Sequence, residues 1–597
     1  MNSPHSPGAH ALPARQSSAT PARKPAPAPT IQLPDAAHLR RRPVRPTQAD
    51  IDRYRNAGLW GDETLDDRFQ ANARRVPERV ALIDAPNRSD FTDGAPQRLT
   101  YAEVDAAASR TAARIRALGV QPGEIVVYQL PNIVESVILL LACNRAGMVA
   151  SPLLVQFNGH EIDYVLRQLK PRLFIGARFK TRDLTAEASA LCAAAGCMTA
   201  RVDEITEGPA TPVDRGTRDA DDLATICWTS GTEGRPKGVM RSSNNWFITA
   251  RNMLHGASMR EGDVILNTRP LVNMAAMSNL VGWLATASTL VMHHPLDMEL
   301  VVQQIRDERV TMTLMPPAFF VALLKDDALR ARADLSSLRL LGTGSASIPP
   351  WATDKIEGEF GIEIVNFFGS NEGTSLLSTG RELPDPGLRA THFPRFGRDE
   401  FDWPSFPPTQ DFESFLIDPE SGEEILEPGR PGELRLKGPG IFIGYYGEPE
   451  LTAKAFDEEG RYRTGDIFEI AGEGEMARFY RFIGRNKEII VRGGLKISPA
   501  ELDELAADFP GATEIAFFGC DDDRLGEIVG VAVVPVAGRE VTLAEIIAWL
   551  KNKQVAIYKL PQHLLTLTAL PRNAMFKIQR DRLRELDLEI NTKEEIQ

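Results

Sequence analysis

The segment WTSGTEGRPKGVMRS, from Trp228 to Ser242, combines hydroxyl side chains, glycines and one lysine in a single stretch. The glycines let the backbone approach a ligand closely, the hydroxyls can donate hydrogen bonds, and the lysine adds a positive charge. The apolar run LATIC, from Leu223 to Cys227, predicts a buried strand that ends where this loop begins. The pattern predicts a polyphosphate site that consists of Thr229, Ser230, Gly231, Thr232, Gly234 and Lys237.

This loop differs from a P-loop, in which a serine or threonine directly follows the lysine. Here Gly238 follows Lys237, and Pro236 would break the helix that a P-loop opens. The segment resembles instead the phosphate loop of the adenylate-forming superfamily, which includes acyl-CoA synthetases, firefly luciferase and the adenylation domains of peptide synthetases. A Gly/Ser/Thr turn between two strands is an alternative explanation for this loop taken alone. Later motifs in the chain favour the resemblance.

The second motif is NFFGSNEG, residues 366–373, which resembles the YGxTE element of the same superfamily. The resemblance implies that Phe368 stacks on the purine, with Gly369 beside it, and that Glu372 holds Mg²⁺ against phosphate oxygens. Asn371 stands where the family usually has threonine. Its amide can still donate a hydrogen bond to phosphate.

A weaker match is LLGTGSASIP, residues 340–349, at the position of the family's adenine strand. Small residues after a strand allow a flat base to lie against the backbone, although they can equally form a simple turn. The resemblance implies that Gly344, Ser345 and Ala346 contact adenine.

The motif YRTGD, residues 462–466, resembles the ribose-binding element, in which the aspartate, here Asp466, accepts hydrogen bonds from both sugar hydroxyls. An isolated TGD would be an ordinary Asx turn. The long match GRNKEIIVRGGLKISPAELD, residues 484–503, follows and resembles the junction between the family's two domains.

By this resemblance Arg485 reaches the ribose, and Lys487 is the hinge about which a small C-terminal domain rotates. Gly493 and Gly494 would line the tunnel for the thiol, because absent side chains let a pantetheine arm pass. A charged strand followed by a Gly-Gly hairpin explains the glycines but not the whole motif.

The last motif, LPRNAMFKIQRDRLRE, residues 570–585, resembles the PRxxxGKIxR element that carries the catalytic lysine, here Lys577. A cation lowers the barrier when a carboxylate approaches the α-phosphate of ATP, because both reactants are anions. Phe576 stands where glycine is usual, and glycine can adopt backbone angles that phenylalanine does not readily adopt.

The predicted substrate pocket also departs from the family, in which PLFH often follows the phosphate loop. This chain has PLVN, residues 270–273, so Asn273 replaces an aromatic ring, and Met274 follows it. We interpret Asn273 and Met274 as parts of a reshaped pocket, the alternative being plain core packing for methionine. The aromatic-rich segment 391–410 is interpreted as a lid or an interface, because its phenylalanines and tryptophan are unsuited to water.

The composition is that of a soluble enzyme of the cytoplasm. Hydrophobic residues make up 43% and charged residues 25% of 597 residues, and no apolar run approaches the ~20 residues that span a bilayer. With 81 acidic against 68 basic residues the net charge is −13, which argues against a nucleic-acid partner. Five cysteines without CxxC spacing predict free thiols in a reducing compartment.

The fold class is predicted as α/β, with three regions. Residues 1–46 are rich in Pro, Ala and Ser and predict a disordered extension; a transit peptide is the alternative, which the prolines oppose. Residues 47–484 alternate strands with helices and then become β-rich, which predicts parallel α/β subdomains plus a small β-rich subdomain. The resemblance implies that this region is the adenylation domain. Residues 485–597 predict a small mobile α+β domain that carries Lys577.

The resemblance, which covers about residues 60–585, implies an AMP-forming acyl-CoA ligase, an enzyme of fatty or aromatic acid metabolism. Its substrates would be ATP with Mg²⁺, coenzyme A, and an aromatic, alicyclic or medium-chain carboxylic acid. Two alternatives remain: an acyl-AMP ligase that loads a separate carrier protein, and a nucleotide-binding pseudoenzyme. We expect coenzyme A as the acceptor because no carrier domain follows residue 597, and we expect a monomer or homodimer without integral membrane contact.

Overall fold

The structure is a computed structural model that describes residues 45–206, 208–209, 212–229, 236–344, 349–398, 400–403, 412–492, 495–522, 524–573 and 577–594. The predicted disordered extension, residues 1–46, lies almost entirely outside these ranges. All five cysteines lie inside them, and each is a buried free thiol. Among the described residues, no helix combines the length and the apolar character required to cross a bilayer.

The helices are numbered in chain order. They are α1 (Gln48–Asn56), α2 (Leu65–Arg75), α3 (Arg88–Phe91), α4 (Tyr101–Ala117), α5 (Val134–Arg145), α6 (Gly159–Leu169), α7 (Leu184–Ala194), α8 (Val202–Thr206), α9 (Ser243–Gly256), α10 (Met274–Thr286), α11 (Met298–Asp307), α12 (Pro317–Lys325), α13 (Asp327–Arg332), α14 (Pro350–Phe360), α15 (Pro386–Arg389), α16 (Pro449–Lys454), α17 (Pro499–Ala506), α18 (Leu543–Asn552) and α19 (Arg580–Glu594).

The strands are numbered in the same way. They are β1 (Val80–Ile83), β2 (Arg98–Thr100), β3 (Ile125–Gln129), β4 (Val149–Leu153), β5 (Leu173–Gly176), β6 (Arg178–Phe179), β7 (Arg182–Asp183), β8 (Met198–Arg201), β9 (Leu223–Thr229), β10 (Lys237–Ser242), β11 (Val264–Asn267), β12 (Thr289–Met292), β13 (Met312–Leu314), β14 (Leu340–Gly344), β15 (Glu363–Ser370), β16 (Gly373–Ser378), β17 (His392–Pro394), β18 (Glu413–Ile417), β19 (Gly432–Lys437), β20 (Gly444–Tyr445), β21 (Tyr462–Ile470), β22 (Phe479–Arg485), β23 (Ile490–Arg492), β24 (Leu495–Ile497), β25 (Ala512–Asp522), β26 (Gly526–Pro535) and β27 (His563–Thr566).

Two mainly parallel sheets form the larger part of the described chain, as predicted. One has the order β16-β15-β14-β13-β11-β12-β1-β2, and the other has the order β20-β10-β9-β4-β3-β5-β8. Their strands pair in parallel except towards the ends, where the pairs β1–β2, β15–β16, β9–β10 and β10–β20 are antiparallel. Parallel strands require helical crossovers, and the alternation of helices and strands supplies them.

Helix α4 shows how the local sequence determines an element. Thr100 accepts a hydrogen bond from the backbone of Glu103, and the Glu103 side chain accepts one from the backbone of Thr100. This reciprocal capping box satisfies amides that the first turn leaves free. Val104, Ala108 and Ile115 are fully buried on the inner face of the helix. Strands β3 and β4 and helix α5 also form over apolar runs of the chain and are almost entirely buried.

The β-rich region is a five-stranded sheet with the order β17-β22-β21-β19-β18. The aromatic-rich segment 391–410 contributes its core: Phe393, Phe396 and Trp403 are all less than 7% exposed. Trp403 packs edge-on against Phe479 of β22, with ring centroids 5.6 Å apart. The interpretation of this segment as a lid or an interface is therefore wrong for its described residues. Residues 404–410 lie outside the described ranges.

The C-terminal region forms its own sheet, β24-β23-β26-β25, with β27 pairing parallel to β26. Helices α17 and α18 cover one face, where Leu502, Ile546 and Leu550 pack on Phe517 and Val531. Helix α19 covers the other face through Leu583, which packs on Phe518 and Leu565. The division proposed between residues 484 and 485 falls inside β22, so Arg485 still pairs with the five-stranded sheet.

Candidate active site

Lys237 at the start of β10 lies beside a tyrosine and a glutamate from two other segments. Its Nζ lies 5.4 Å from the centre of the Tyr445 ring, which β20 places next to β10. The Tyr445 hydroxyl donates a hydrogen bond of 3.0 Å to Oε1 of Glu372. The Glu372 residue is 7% exposed. The structure thus brings together the predicted phosphate-binding lysine and the predicted metal-binding carboxylate.

Arg241, which sequence reasoning missed, joins several segments of this site through its hydrogen bonds. It is fully buried, and its Nη1 donates to the backbone oxygen of Asn371 at 3.1 Å while Nη2 donates to those of Asn245 and Gly440 at 2.9 and 3.0 Å. Its guanidinium lies 4.2 Å from the centre of the Trp246 ring. Burial lowers the pKa of Arg241 to about 10. Because arginine is rarely buried, the sequence alone gives no signal for this contact.

Asn371 joins the site to the loop that precedes α10. Its Oδ1 accepts a hydrogen bond of 2.6 Å from the backbone of Met274, and its Nδ2 donates one of 3.3 Å to the backbone oxygen of Trp228. One of its two amide hydrogens is thereby engaged inside the protein. The predicted contact with phosphate would have to use the other hydrogen.

Asn273 and Met274 are both buried, at 6% and 7% exposed. Asn273 is the N-cap of α10, because its Oδ1 accepts a hydrogen bond of 3.2 Å from the backbone of Ala276. The sequence analysis assigned both residues to the substrate pocket. The structure adds a capping role for Asn273, which its position before an apolar helical stretch could have indicated. The pocket role stays a prediction.

Phe368 lies at the end of β15, half-buried among other phenylalanines. Its ring packs edge-on against Phe468 at 5.0 Å and also contacts Phe393 and Phe482. Gly369 beside it is exposed. Gly344 on the neighbouring strand approaches the chain closely, since a Cβ there would lie 2.2 Å from the backbone oxygen of Phe367. Adenine contact by these residues stays a prediction.

Asp466 and Arg485 face each other across β21 and β22. Nε of Arg485 lies 3.4 Å from Oδ1 of Asp466, and the aspartate is 9% exposed. Burial raises the pKa of Asp466 to about 6, although Arg485 and Lys577 both act to lower it. Burial acts to lower the pKa of Arg485, but Asp466 and Glu488 outweigh it and the net shift is upward. The predicted ribose-binding pair is therefore assembled.

Lys577 comes from the C-terminal region and reaches this same pair. Its backbone is held by Asn573, whose amide nitrogen donates to the Lys577 carbonyl at 2.9 Å and whose Oδ1 accepts from the Lys577 amide at 3.1 Å. The side chain is half-buried. Burial and, to a smaller extent, Arg485 lower the pKa of Lys577 to about 8, although Asp466 acts to raise it.

Arg269 is a second buried cation that the sequence analysis missed. It follows β11, is 4% exposed, and its pKa is lowered by burial to about 10. It lies close enough to Lys577 to lower the pKa of that lysine. Asn132 holds the loop, donating from Nδ2 to the backbone oxygen of Arg269 at 2.8 Å. Arg269 and Arg485 thus both lie within electrostatic reach of Lys577, and such a group of three cations is suited to a polyanionic ligand.

The remaining predicted residues divide into two groups. Thr229 is half-buried at the end of β9, opposite Lys237 in the antiparallel register, and Lys487 is exposed in a short turn between β22 and β23. The other group lies outside the described residues and comprises Ser230, Gly231, Thr232, Gly234, Ser345, Ala346, Gly493, Gly494 and Phe576. The roles of both groups stay predictions.

Comparison with known families agrees with this geometry. Residues 69–446 match the AMP-binding enzyme family, and residues 501–577 match the AMP-binding enzyme C-terminal domain. The chain belongs to the AMP-binding enzyme family. The first match contains Lys237, Arg241, Glu372 and Tyr445, and the second ends at Lys577.

Individual members of this AMP-binding enzyme family resemble the chain over most of its length. It is 29% identical to the medium-chain fatty-acid–CoA ligase of Escherichia coli strain K12, over 89% of this chain and 92% of the relative. It is 30% identical to the 2-hydroxy-7-methoxy-5-methyl-1-naphthoate–CoA ligase of Streptomyces carzinostaticus, over 89% and 94%. The crystal structure of ATP-bound MatB from Rhodopseudomonas palustris superposes with a TM-score of 0.74 at 25% identity, over 88% of this chain and 99% of that chain.

These matches confirm the predicted fold class and the predicted resemblance to adenylate-forming enzymes. They also confirm the predicted enzyme class, an AMP-forming acyl-CoA ligase. ATP and coenzyme A are the substrates of this class.

Proposed function

We propose that this AMP-binding enzyme activates an aromatic, alicyclic or medium-chain carboxylic acid with ATP and transfers the acyl group to coenzyme A. The observation that carries the proposal is the position of Lys577, which lies within electrostatic reach of Asp466, Arg485 and Arg269. A ribose-binding pair and a lysine from the C-terminal region together provide what the first half-reaction needs.

In the first half-reaction a carboxylate oxygen of the acid attacks the α-phosphorus of ATP and pyrophosphate leaves. Asp466 accepts hydrogen bonds from the ribose hydroxyls, and Arg485 orients that carboxylate from 3.4 Å away. Lys237 neutralises phosphate charge. Lys577 donates a hydrogen bond between the two approaching anions and stabilises the charge that develops there, an effect strengthened by its partial burial.

Mg²⁺ is the metal ion that this chemistry normally uses, and the residues fit it. Glu372 offers carboxylate oxygens, which are the ligands that Mg²⁺ prefers, and Tyr445 fixes the orientation of one of them. Glu372 would hold the ion, which supplies charge neutralisation on the phosphate oxygens. Lys237, whose Nζ lies 5.4 Å from the centre of the Tyr445 ring, is a second positive charge near Glu372.

In the second half-reaction the thiol of coenzyme A attacks the acyl carbon, AMP leaves with the bonding electrons, and the thiol proton passes to solvent. The product is a thioester. We propose that rotation at Lys487 withdraws Lys577 and brings Gly493 and Gly494 to the thiol. Such a domain rotation lets one active site perform two reactions in turn.

The proposed class of acid substrate is supported by the apolar character of the acids on which the relatives act. One of the relatives named above acts on medium-chain fatty acids and another on a naphthoate. Both acids are largely apolar, and the loop of Asn273 and Met274 is buried among apolar residues. An apolar pocket with one amide suits an acid of this kind better than a dicarboxylate.

The test is carboxylate-dependent exchange of labelled pyrophosphate into ATP, with a panel of aromatic, alicyclic, medium-chain and dicarboxylic acids. We expect exchange with at least one apolar acid. AMP release is then measured with coenzyme A as the only thiol, and we expect steady turnover. Exchange without turnover would identify a ligase that loads a carrier protein. Absence of exchange with every acid would overturn the proposal and favour a nucleotide-binding pseudoenzyme.

A further inference from the structure

Three side chains of different donor types converge on one face of the C-terminal sheet. Sγ of Cys520, a ring nitrogen of His563 and a carboxylate oxygen of Asp587 all lie within 4.8 Å of one another. Nδ1 of His563 lies 3.4 Å from Oδ2 of Asp587. The reaction described above uses none of these groups.

The sheet register explains this convergence. Cys520 on β25 and His563 on β27 flank β26, and Gly530 on β26 pairs with His563 in parallel register. A Cβ at Gly530 would lie 2.5 Å from Sγ of Cys520. Because Gly530 has no side chain, the sulfur of Cys520 occupies the space beside it. His563 pairs with Gly530, so its side chain points to the same side of the sheet.

Helix α19 supplies the third group. Leu583 is fully buried against this face, and Asp587 follows it by one helical turn, so both point to the sheet. Cys520 is 4% exposed and Asp587 is 7% exposed, whereas the His563 side chain is 37% exposed. A buried carboxylate beside a buried thiol is an uncommon placement for two groups that lose hydration.

We propose that Cys520, His563 and Asp587 bind one divalent transition-metal ion of the zinc type, with solvent as the fourth ligand on the exposed side of His563. Thiolate, imidazole and carboxylate are the donors that Zn²⁺ takes in tetrahedral sites. On binding, the Cys520 thiol releases its proton to solvent and forms the metal–sulfur bond. The thiolate and the Asp587 carboxylate then balance the charge of the dication inside the protein.

The charges around the cluster are compatible with this arrangement. Arg584 donates from Nε to the backbone oxygen of Gly519 at 2.9 Å and forms an ion pair with Glu527, so its charge is already balanced. Burial and the neighbouring Asp587 raise the pKa of the Cys520 thiol, which a bound dication would reverse. A nucleophilic role for Cys520 is disfavoured because a thiol that is 4% exposed offers no room for a substrate.

A metal ion here would fasten α19 to β25 and β27. Helix α19 begins at Arg580, three residues after Lys577. The ion would therefore stabilise the segment that follows the predicted catalytic lysine, without contacting the substrates. Its effect is expected in the stability of the C-terminal region.

The experiment uses the full-length chain, stripped of metal with a chelator and titrated with Co²⁺ and then with Zn²⁺. We expect a thiolate-to-cobalt charge-transfer absorption that saturates at one ion per chain and that Zn²⁺ displaces. Zn²⁺ is also expected to raise the midpoint of thermal unfolding. Cys520→Ser is expected to remove the charge-transfer band, and His563→Gln to weaken binding by about 100-fold or more.

Cys197→Ser is the matched control, because Cys197 is also a buried thiol and lies beside Cys192, in the connection between α7 and β8 and far from the C-terminal sheet in the chain. It should bind Co²⁺ as the unchanged chain does. Circular dichroism is used to check that each variant is folded. If Cys520→Ser does not fold, the test rests on His563→Gln, which changes a half-exposed position. Absence of the band in the unchanged chain, or its persistence in Cys520→Ser or loss in Cys197→Ser, would overturn the proposal.

Discussion

The ammonium of Lys577 lies close enough to the carboxylate of Asp466 that each shifts the pKa of the other. Asp466 belongs to the five-stranded sheet, whereas Lys577 follows the last strand of the C-terminal sheet. The two regions are thus arranged as the proposed adenylation step requires, with the lysine beside the aspartate that is predicted to bind the ribose. This arrangement leads to separate predictions for the two half-reactions.

Lys577→Ala should remove the cation between the two anions. We expect pyrophosphate exchange to fall by about 100- to 1,000-fold, which is the loss found when one donor to a developing oxyanion is removed. Thioester formation from supplied acyl-AMP should change little, because that step requires the lysine to have withdrawn. Both steps are measured on the same preparation.

The control for this variant is Lys551→Ala, which removes an exposed lysine of α18 in the same region. It should leave both half-reactions unchanged. If Lys577→Ala lost both halves equally, the proposed division of labour between the two conformations would be wrong.

The pH dependence of adenylation should reflect two shifted groups. Lys577 acts as the ammonium, so kcat/KM for ATP should fall as the pH rises through about 8. Asp466 acts as the carboxylate, so the same quantity should fall as the pH drops through about 6. We therefore expect a bell-shaped profile in kcat/KM, which reports the pKa values of the free enzyme.

Three variants test which group is responsible for each limb of this pH profile. Lys577→Arg should move the alkaline limb beyond the accessible range, because an arginine guanidinium stays protonated at every pH at which the enzyme can be assayed. Arg269→Gln should move the alkaline limb upward, since Arg269 lowers the pKa of Lys577. Asp466→Asn should lower activity and remove the acid limb. An alkaline limb that stays near 8 in Lys577→Arg would show that another group titrates there.

Much of the fold was predictable because its determinants are local. The capping box of Thr100 and Glu103 and the apolar runs of β3 and β9 lie within single segments, so periodicity and helix signals locate them. The motif residues Glu372, Asp466 and Lys577 were found through resemblance, and the structure brings each near a charged or polar partner.

The residues that sequence reasoning missed depend on long-range contacts. Arg241 and Arg269 are buried cations, whereas an arginine in a sequence is expected on the surface. The bridge from Asn371 to Trp228 and Met274 joins three distant segments, which no local pattern reveals. The aromatic-rich segment was misinterpreted because its partner, Phe479, comes much later in the chain.

Tyr445→Phe should separate two of the contacts that the Tyr445 side chain makes. The ring that lies near Lys237 is retained, while the hydroxyl that donates to Glu372 is lost. We expect a rise in the Mg²⁺ concentration needed for half-maximal pyrophosphate exchange, by about 10- to 100-fold, since a hydrogen bond to a charged group contributes roughly 1.5–3 kcal/mol. Tyr558→Phe, an exposed tyrosine, is the control and should show no change. An unchanged Mg²⁺ dependence in Tyr445→Phe would contradict the assignment of Glu372.

Asn273 is predicted to act both as a helix cap and as part of the substrate pocket, and two substitutions separate these roles. Asn273→Ser keeps a capping oxygen for α10 but removes an amide and volume, so the midpoint of thermal unfolding should stay close to that of the unchanged chain while the preference among acids shifts. Asn273→Ala loses the cap as well and should destabilise the protein by about 1 kcal/mol. Both variants are compared by thermal unfolding and by pyrophosphate exchange with the same acid panel. If Asn273→Ser kept the original order of acids, Asn273 would be a cap alone, and the acid preference would have to come from other residues around α10.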